Sequence, residues 1–290
     1  MLGLLVVIVC ISVLTAILLP LLAAARARAK ALLCMTNQRE IVNGVSLFAA
    51  DNDGKYPNPV ATSRRGVTWS WLEPTMMTAY GNGVSRPIPG CFPGEHRSLA
   101  AYLHKYIADA SIMFCPSAPC RYRYLQESWD AGDDWDNPET TAEPQDMVLG
   151  TYCFYWNYVG YLDGDAGPFI GPLGSFYRRD RSKLLVSDYF GYDYWRSPDA
   201  YGSCERIKGA AVTEGSSASS AYWSVSGQDD SATLAVLKVE LHAGYTDGHV
   251  ERYGPTEVVP MKVSWTPNGG EAFPSWLGKG IFYLPQNSVR

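Results

Sequence analysis

The sequence predicts an α+β protein: one long N-terminal helix, half transmembrane and half amphipathic, packed on an antiparallel β-sheet head with long loops. Three observations lead there. Leu4 to Ala25 contains no charged side chain, an apolar, helix-compatible periodicity runs on past it to Phe48, and the rest of the chain is punctuated by proline, glycine and strand-like aromatic runs.

The first segment sets the scale. Twenty-two uncharged residues at about 1.5 Å each cross the roughly 30 Å apolar layer of a bilayer. Ser12 and Thr15 are the hydroxyl interruptions, and a hydroxyl is tolerated there because it can bond to a carbonyl one turn back. Pro20 is expected to kink the helix. A secretory signal cleaved near Ala23-Ala24-Ala25 is the competing reading, but the apolar run is long for one and no basic residue precedes it.

Residues 23–31 are almost all Ala, Arg and Lys, strong helix formers without Gly or Pro. Leu33, Ile41, Val45 and Phe48 then recur at helical spacings, a stripe along one face. Asp51-Asn52-Asp53-Gly54, followed by Tyr56-Pro57, reads as stop and turn. The chain thus divides into residues 1–30, the transmembrane half with a basic flank; 31–56, the amphipathic half of the same helix; and 57–290, a β-rich, loop-rich head. A helix of about 50 residues is about 75 Å long.

Leu4-Leu5-Val6-Val7-Ile8, Leu18-Leu19-Pro20 and the Ala-Arg-Ala-Arg-Ala-Lys run resemble the N-terminal methylation segment of type IV pilins and type II secretion pseudopilins. Cys34-Met35-Thr36-Asn37-Gln38 and Phe48 to Pro57 are similar to a large bacterial branch of pilin-like proteins, which carries Cys-x-x-Asn-x-x-Gln and Tyr-Ala-x-Asp-x-x-Gly-x-x-Pro there. The resemblance is dense over residues 2–57 and sparse beyond. It implies a non-enzymatic structural subunit of a type IV pilus or type II secretion-like assembly, held in the bacterial inner membrane by a single pass. The head would then stand in the periplasm or on the cell surface, and the partners would be the membrane and other pilin-like subunits, met through the N-terminal helix. Gly3 falls where the family places a glutamate that neutralises a neighbour's N-terminal amine. That departure points to a minor or tip subunit, or else to a role outside the filament.

Charge and cysteine usage bound the alternatives. Three of the 24 basic side chains and none of the 29 acidic ones lie in the first 30 residues, so the remainder has a net charge of about −8. That excludes a basic nucleic-acid-binding surface. Arg26, Arg28 and Lys30 would, by positive-inside logic, place the C-terminal end of the span in the cytoplasm. The even set Cys34, Cys91, Cys115, Cys120, Cys153 and Cys204 favours an oxidising compartment, and so an external head.

Along the head, residues 57–95 are irregular, with Thr68 to Leu72 as one short strand. Leu99, Leu103 and Ile107 predict a short amphipathic helix capped near Ser98, with His104 off its stripe. Cys115-Pro116-Ser117-Ala118-Pro119-Cys120 can close a small proline-stiffened loop through a local disulfide. A zinc alternative combines Cys91, His96, Cys115 and Cys120, although the spacing is wider than zinc sites usually show. The segment from Asp130 to Asp146, with Trp129 and Trp135 near its start, reads as an acidic solvated loop. Asp51-Asn52-Asp53-Gly54 and Asp163-Gly164-Asp165 lack the closing glutamate of a calcium loop and read as turns.

Thr151 to Tyr161 alternates aromatic and small residues like a half-buried strand, Lys183 to Tyr189 reads as a second, and residues 209–231 as a flexible loop. The strand-like segment from Leu234 to Leu241 and the Tyr245 to Glu251 run predict a hairpin with a two-residue turn at Asp247-Gly248. Asp247-Gly248-His249-Val250 also resembles the family's C-terminal signature. The histidine normally ten residues earlier is Leu237 here, and the nearest preceding histidine is His242. The last 35 residues, rich in proline, are expected to wrap the sheet as loops.

No nucleophile elbow, phosphate-binding glycine loop, His-Glu-x-x-His, dinucleotide fingerprint or Cys-x-x-Cys is present. The sequence therefore predicts no enzyme, no catalytic residues and no cofactor. The competing function is a membrane-anchored extracytoplasmic binding module for carbohydrate or peptide, because 28 Tyr and Trp side chains suit stacking on a ligand.

Overall fold

The computed structural model describes residues 2–57, 74, 75, 77, 99–116, 126–131, 151–162, 168–176, 179–189, 191, 192, 199–202, 205–211, 241–254, 256–262 and 281–289. The class is α+β, as the sequence predicts. Helix α1 spans Leu2–Asp51, followed by α2 (Leu99–Leu103), a 3-10 turn (Ala110–Met113) and α3 (Gln126–Ala131). The strands are β1 (Tyr152–Phe154), β2 (Val159–Leu162), β3 (Pro168–Ile170), β4 (Leu184–Asp188), β5 (Gly191–Tyr192), β6 (Asp199–Gly202), β7 (Glu205–Ala211), β8 (Leu241–Tyr245), β9 (Val250–Tyr253), β10 (Val258–Lys262) and β11 (Ile281–Pro285). A 3-10 turn, Gln286–Val289, closes the described chain.

Helix α1 is a single element of 50 residues that runs through Pro20 and through the basic stretch. Ser12 Oγ donates to the Ile8 carbonyl at 2.8 Å and Thr15 Oγ1 to the Ile11 carbonyl at 2.9 Å, the back-bonding expected of hydroxyls in an apolar helix. At the other end Asp53 and Gly54 both take positive φ, and the Gly54 N–H donates to the Ala49 carbonyl at 2.7 Å. A glycine at that left-handed position ends the helix without a Cβ clash.

Burial along α1 begins at Cys34 and follows the helical period: Cys34, Asn37, Gln38, Ile41, Val42, Val45 and Ala49 are buried, and Phe48 is partly so. Leu33, expected on this stripe, is 49 % exposed, and Cys34 takes its place. The physical reason is that the inward face opens with polar and sulfur-bearing residues, whose partners lie on other segments and leave no trace in a hydrophobic pattern.

This face packs on a four-stranded antiparallel sheet of order β1-β4-β8-β9. From the other side come Leu99, Ala100 and Leu103 of α2, then Ile107, Ala110 and Met113, all in one apolar cluster with α1. Phe48 meets Tyr102 and Tyr106 edge-on, at ring separations of 5.9 and 5.7 Å. The second sheet has seven antiparallel strands in the order β3-β2-β10-β11-β5-β6-β7.

Several local expectations change. Helix α2 stops at Leu103, although Ile107 is buried as its spacing implied. Trp129 and Asp130 sit on α3 rather than in a loop, with Trp129 fully buried and its indole N–H donating to the Ile107 carbonyl at 2.8 Å. The aromatic run from Tyr152 is two strands separated by a turn, with Asn157 at φ 56°, and β1 is buried on both faces rather than one. The last 35 residues hold β10 and β11, paired from Val258↔Pro285 to Lys262↔Ile281, where loops were expected. Pairing of β10 with β2 is confined to Met261 and Lys262, so the missing N–H of Pro260 meets no ladder on that side.

The β8–β9 hairpin is present, but its loop has three residues, Thr246-Asp247-Gly248. The Gly248 N–H donates to the Tyr245 carbonyl at 2.9 Å, and the Tyr245 N–H to the His249 carbonyl at 3.0 Å. With Gly248 at φ 88° this is the tight-turn-plus-glycine solution, in which only the last loop residue needs positive φ. Strand β8 starts at Leu241. The expected stretch from Leu234 to Glu240 lies outside the described residues, as do Thr68 to Leu72, Ser98, residues 132–146, 163–165 and 212–231.

Gly244 marks how closely helix and sheet approach. A Cβ there would lie 3.0 Å from both Val42 on α1 and Val186 on β4. Gly244→Val is expected to destabilise the head by about 1–3 kcal/mol through overpacking, read as a lower urea midpoint of the detergent-solubilised chain.

Candidate functional site: the long apolar helix and its junction with the head

Helix α1 presents two different surfaces. From Leu4 to Leu22 the large apolar side chains are 48–69 % exposed, on every side of the helix. A soluble helix buries one stripe; this half buries none, and it is long and apolar enough to cross a membrane. Arg26, Arg28 and Lys30 are exposed immediately beyond it. Cys10 is also exposed in this half.

The second surface is the buried junction. Gln38 Nε2 donates to Asp188 Oδ1 at 2.9 Å, joining α1 to the end of β4, and lies 3.3 Å from the His242 carbonyl on β8. The His242 backbone N–H donates to Asp188 Oδ2 at 2.9 Å, and its Nδ1 lies 2.6 Å from the same oxygen. Gln38 and Asp188 are fully buried and His242 is 2 % exposed. Three elements far apart in sequence thus meet on one carboxylate, which accepts three bonds in place of water. Asn37 adds a fourth tie, its Nδ2 donating to the Phe114 carbonyl at 3.1 Å.

Beside this network lie two sulfurs. Cys34 Sγ and Cys115 Sγ are 2.6 Å apart, and a carboxylate oxygen of Asp188 lies within 4.8 Å of both. Two thiolates on one tetrahedral zinc, each at about 2.3 Å, would sit about 3.8 Å apart. Asp188 already spends both oxygens on Gln38 and His242. Cys34 is a disulfide cysteine and Cys115 a free thiol, so the trio does not offer two thiolates to a metal ion. Gln38 Oε1 is buried with no hydrogen-bond partner among the described residues.

Burial also acts on the tyrosines. The Tyr152 hydroxyl, on β1, is held well above its ordinary pKa by burial, then by the charge of Asp188 and by Cys115. Burial raises Tyr155 likewise, and pushes Tyr56 up to about 12.

The residues singled out from sequence scatter. Cys91, His96 and Cys120 lie outside the described residues, so neither the Cys115–Cys120 link nor the four-residue zinc set is placed. No pair of described cysteines is closed into a bond, and Cys115 lies instead against Cys34. Pro20 is within α1, on its exposed half, and Asp247 and Gly248 form the hairpin tip. His104 is half-buried, with Nδ1 2.7 Å from the Ala100 carbonyl. The Asp188–His242 pair escaped the sequence reading as a site. Its available signal was an aspartate ending the otherwise apolar Leu184-Leu185-Val186-Ser187 run.

Asp188→Ala leaves two His242 N–H groups buried without their acceptor and the Gln38 amide with only its 3.3 Å bond to the His242 carbonyl, and is expected to cost about 3–5 kcal/mol in urea unfolding. Because Tyr56, Tyr152 and Tyr155 favour the neutral form when folded, the stability this contributes is complete below about pH 10. It is lost as pH rises towards 12. Tyrosinate absorbance at 295 nm should therefore rise in two stages, exposed tyrosines first and the buried set together with loss of near-ultraviolet dichroism.

Comparison with protein families, with curated proteins and with solved structures returns no match.

Proposed function

We propose that the protein is a non-enzymatic, pilin-like (pseudopilin-type) membrane subunit whose α1 both anchors it and packs with other such helices. The observation that supports this reading is one uninterrupted helix with two unlike halves. Its first half exposes apolar side chains all round, and its second is docked on the head by a buried face. A helix rigidly continuous with a folded body transmits the position of the anchor to that body. Helices apolar on every side associate with one another and with lipid by packing. Assembly through the first halves would array the heads outside the membrane, in the periplasm or at the cell surface. The resemblance over residues 2–57 supports a structural component of a type IV pilus or type II secretion-like assembly, with Gly3 suiting a minor or tip position.

The aromatic content that suggested a binding module has a structural use among the described residues. Trp129, Tyr152, Phe154, Tyr155, Trp156, Tyr158 and Tyr283 are fully buried, while Phe176 is exposed.

Disulfide cross-linking through cysteines placed along residues 4–22, with the native Cys10 as one position, is the test. A subunit gives a ladder of multimers in native membranes, with yield varying at helical period. Monomer at every position would overturn the reading, and glycan- or peptide-array binding by the intact protein would then favour an anchored module.

A further inference from the structure

We propose that Arg26, Arg28 and Lys30 form a collar that binds the phosphates of anionic phospholipid headgroups. This rests on the reading of residues 4–25 as a membrane span and adds a lipid class to it. All three side chains are exposed on α1, and none makes an ion pair with a described residue. The helix carries no carboxylate before Glu40, which lies about 15 Å beyond Lys30 along the axis. Position then selects the ligand. Arg26 directly follows the uncharged run from Leu4 to Ala25, which is about 33 Å long. The stretch from Arg26 to Lys30 covers about 6 Å more, matching the headgroup layer of about 5–7 Å outside a roughly 30 Å core. Arg28 projects about 200° round the helix from Arg26, and Lys30 about 40°, so the charges meet headgroups on two sides.

An arginine guanidinium offers a phosphate two parallel N–H donors, and a lysine ammonium offers a point charge. Just before the collar Leu21 and Leu22 are 62 % and 48 % exposed, an apolar surface for the acyl chains of the same lipids. The rest of the chain responds to the leaflet in the opposite sense. Residues after 30 carry a net charge of about −8, so an anionic surface draws in the collar and repels the body. The two forces together hold the helix at one depth and the body clear of the headgroups. The acidic body of a second copy is the rival occupant, but it would have to enter the headgroup layer to reach these side chains.

The test places the full chain in phosphatidylcholine vesicles containing a minority of phosphatidylglycerol, doped with a spin-labelled form of one lipid or the other. Electron paramagnetic resonance reads the share of each label immobilised against the protein. Both labels are expected to be immobilised, with phosphatidylglycerol favoured by about fivefold for each basic side chain it meets. High salt should remove most of that preference. Arg26→Gln/Arg28→Gln/Lys30→Gln is expected to immobilise the two labels equally and to keep the near-ultraviolet dichroism of the head, since all three side chains are exposed. Arg26→Lys/Arg28→Lys keeps the charge and should keep the preference. Equal immobilisation by the wild type, the result expected if a second copy's carboxylates occupy the collar, would overturn the proposal and leave the membrane span standing. A preference that survives in the triple glutamine variant would overturn it too. If neither label is immobilised, the span itself fails and the collar with it.

Discussion

Everything in this fold depends on one docking event: the second half of a 50-residue helix lying down on a sheet that it cannot reach by local sequence. The apolar part of that contact, Ile41, Val42, Val45 and Ala49 against β4 and β8, supplies the driving force. The register is set by polar residues at the head of the stripe. Gln38 finds Asp188, Asp188 holds His242, and Asn37 finds the Phe114 carbonyl. Sliding the helix by one turn would preserve much of the apolar contact and strand every one of those groups. The cost of leaving buried polar groups unmatched makes one position of the helix favourable and its neighbours unfavourable.

That junction divides α1 into two environments without breaking it. Before Cys34 the helix is exposed on all sides; after it, a regular face is buried. Continuity matters because a flexible joint near Arg26–Ala31 would uncouple the exposed apolar half of α1 from the head. Cys34 lies at that boundary, and the free thiol of Cys115 is held beside it by the backbone tie of its own segment to Thr151.

The head completes the helix's environment from two directions. The sheet β1-β4-β8-β9 takes one side of α1, and α2 with the 3-10 turn takes another, closed by Trp129 from α3. The bulkiest fully buried side chains described are almost all aromatic. Phe154 and Trp156 sit 5.2 Å apart, and Tyr155 meets Tyr158 and Phe169 edge-on. In a head with short strands and many turns, large flat side chains bury much area per residue.

Sequence alone determined whatever depends on residues close together along the chain. The charge-free run and its helix formers specified α1, Asp51 to Gly54 specified its end, the Leu184 to Asp188 run specified β4, and Asp247-Gly248 placed the hairpin tip. Only the tertiary structure decided which residues of α1 face inward at its first buried turn, why Leu33 is outside and Cys34 inside, and that Asp188, His242 and Gln38 converge. It also decided that the proline-rich C-terminal stretch contributes two paired strands, and that Cys115 lies beside a sulfur 81 residues away. Helical and strand periodicity are local properties written in spacing, whereas a hydrogen bond between β4 and α1, or a contact between two sulfurs, exists only once hydrophobic burial has brought distant segments together.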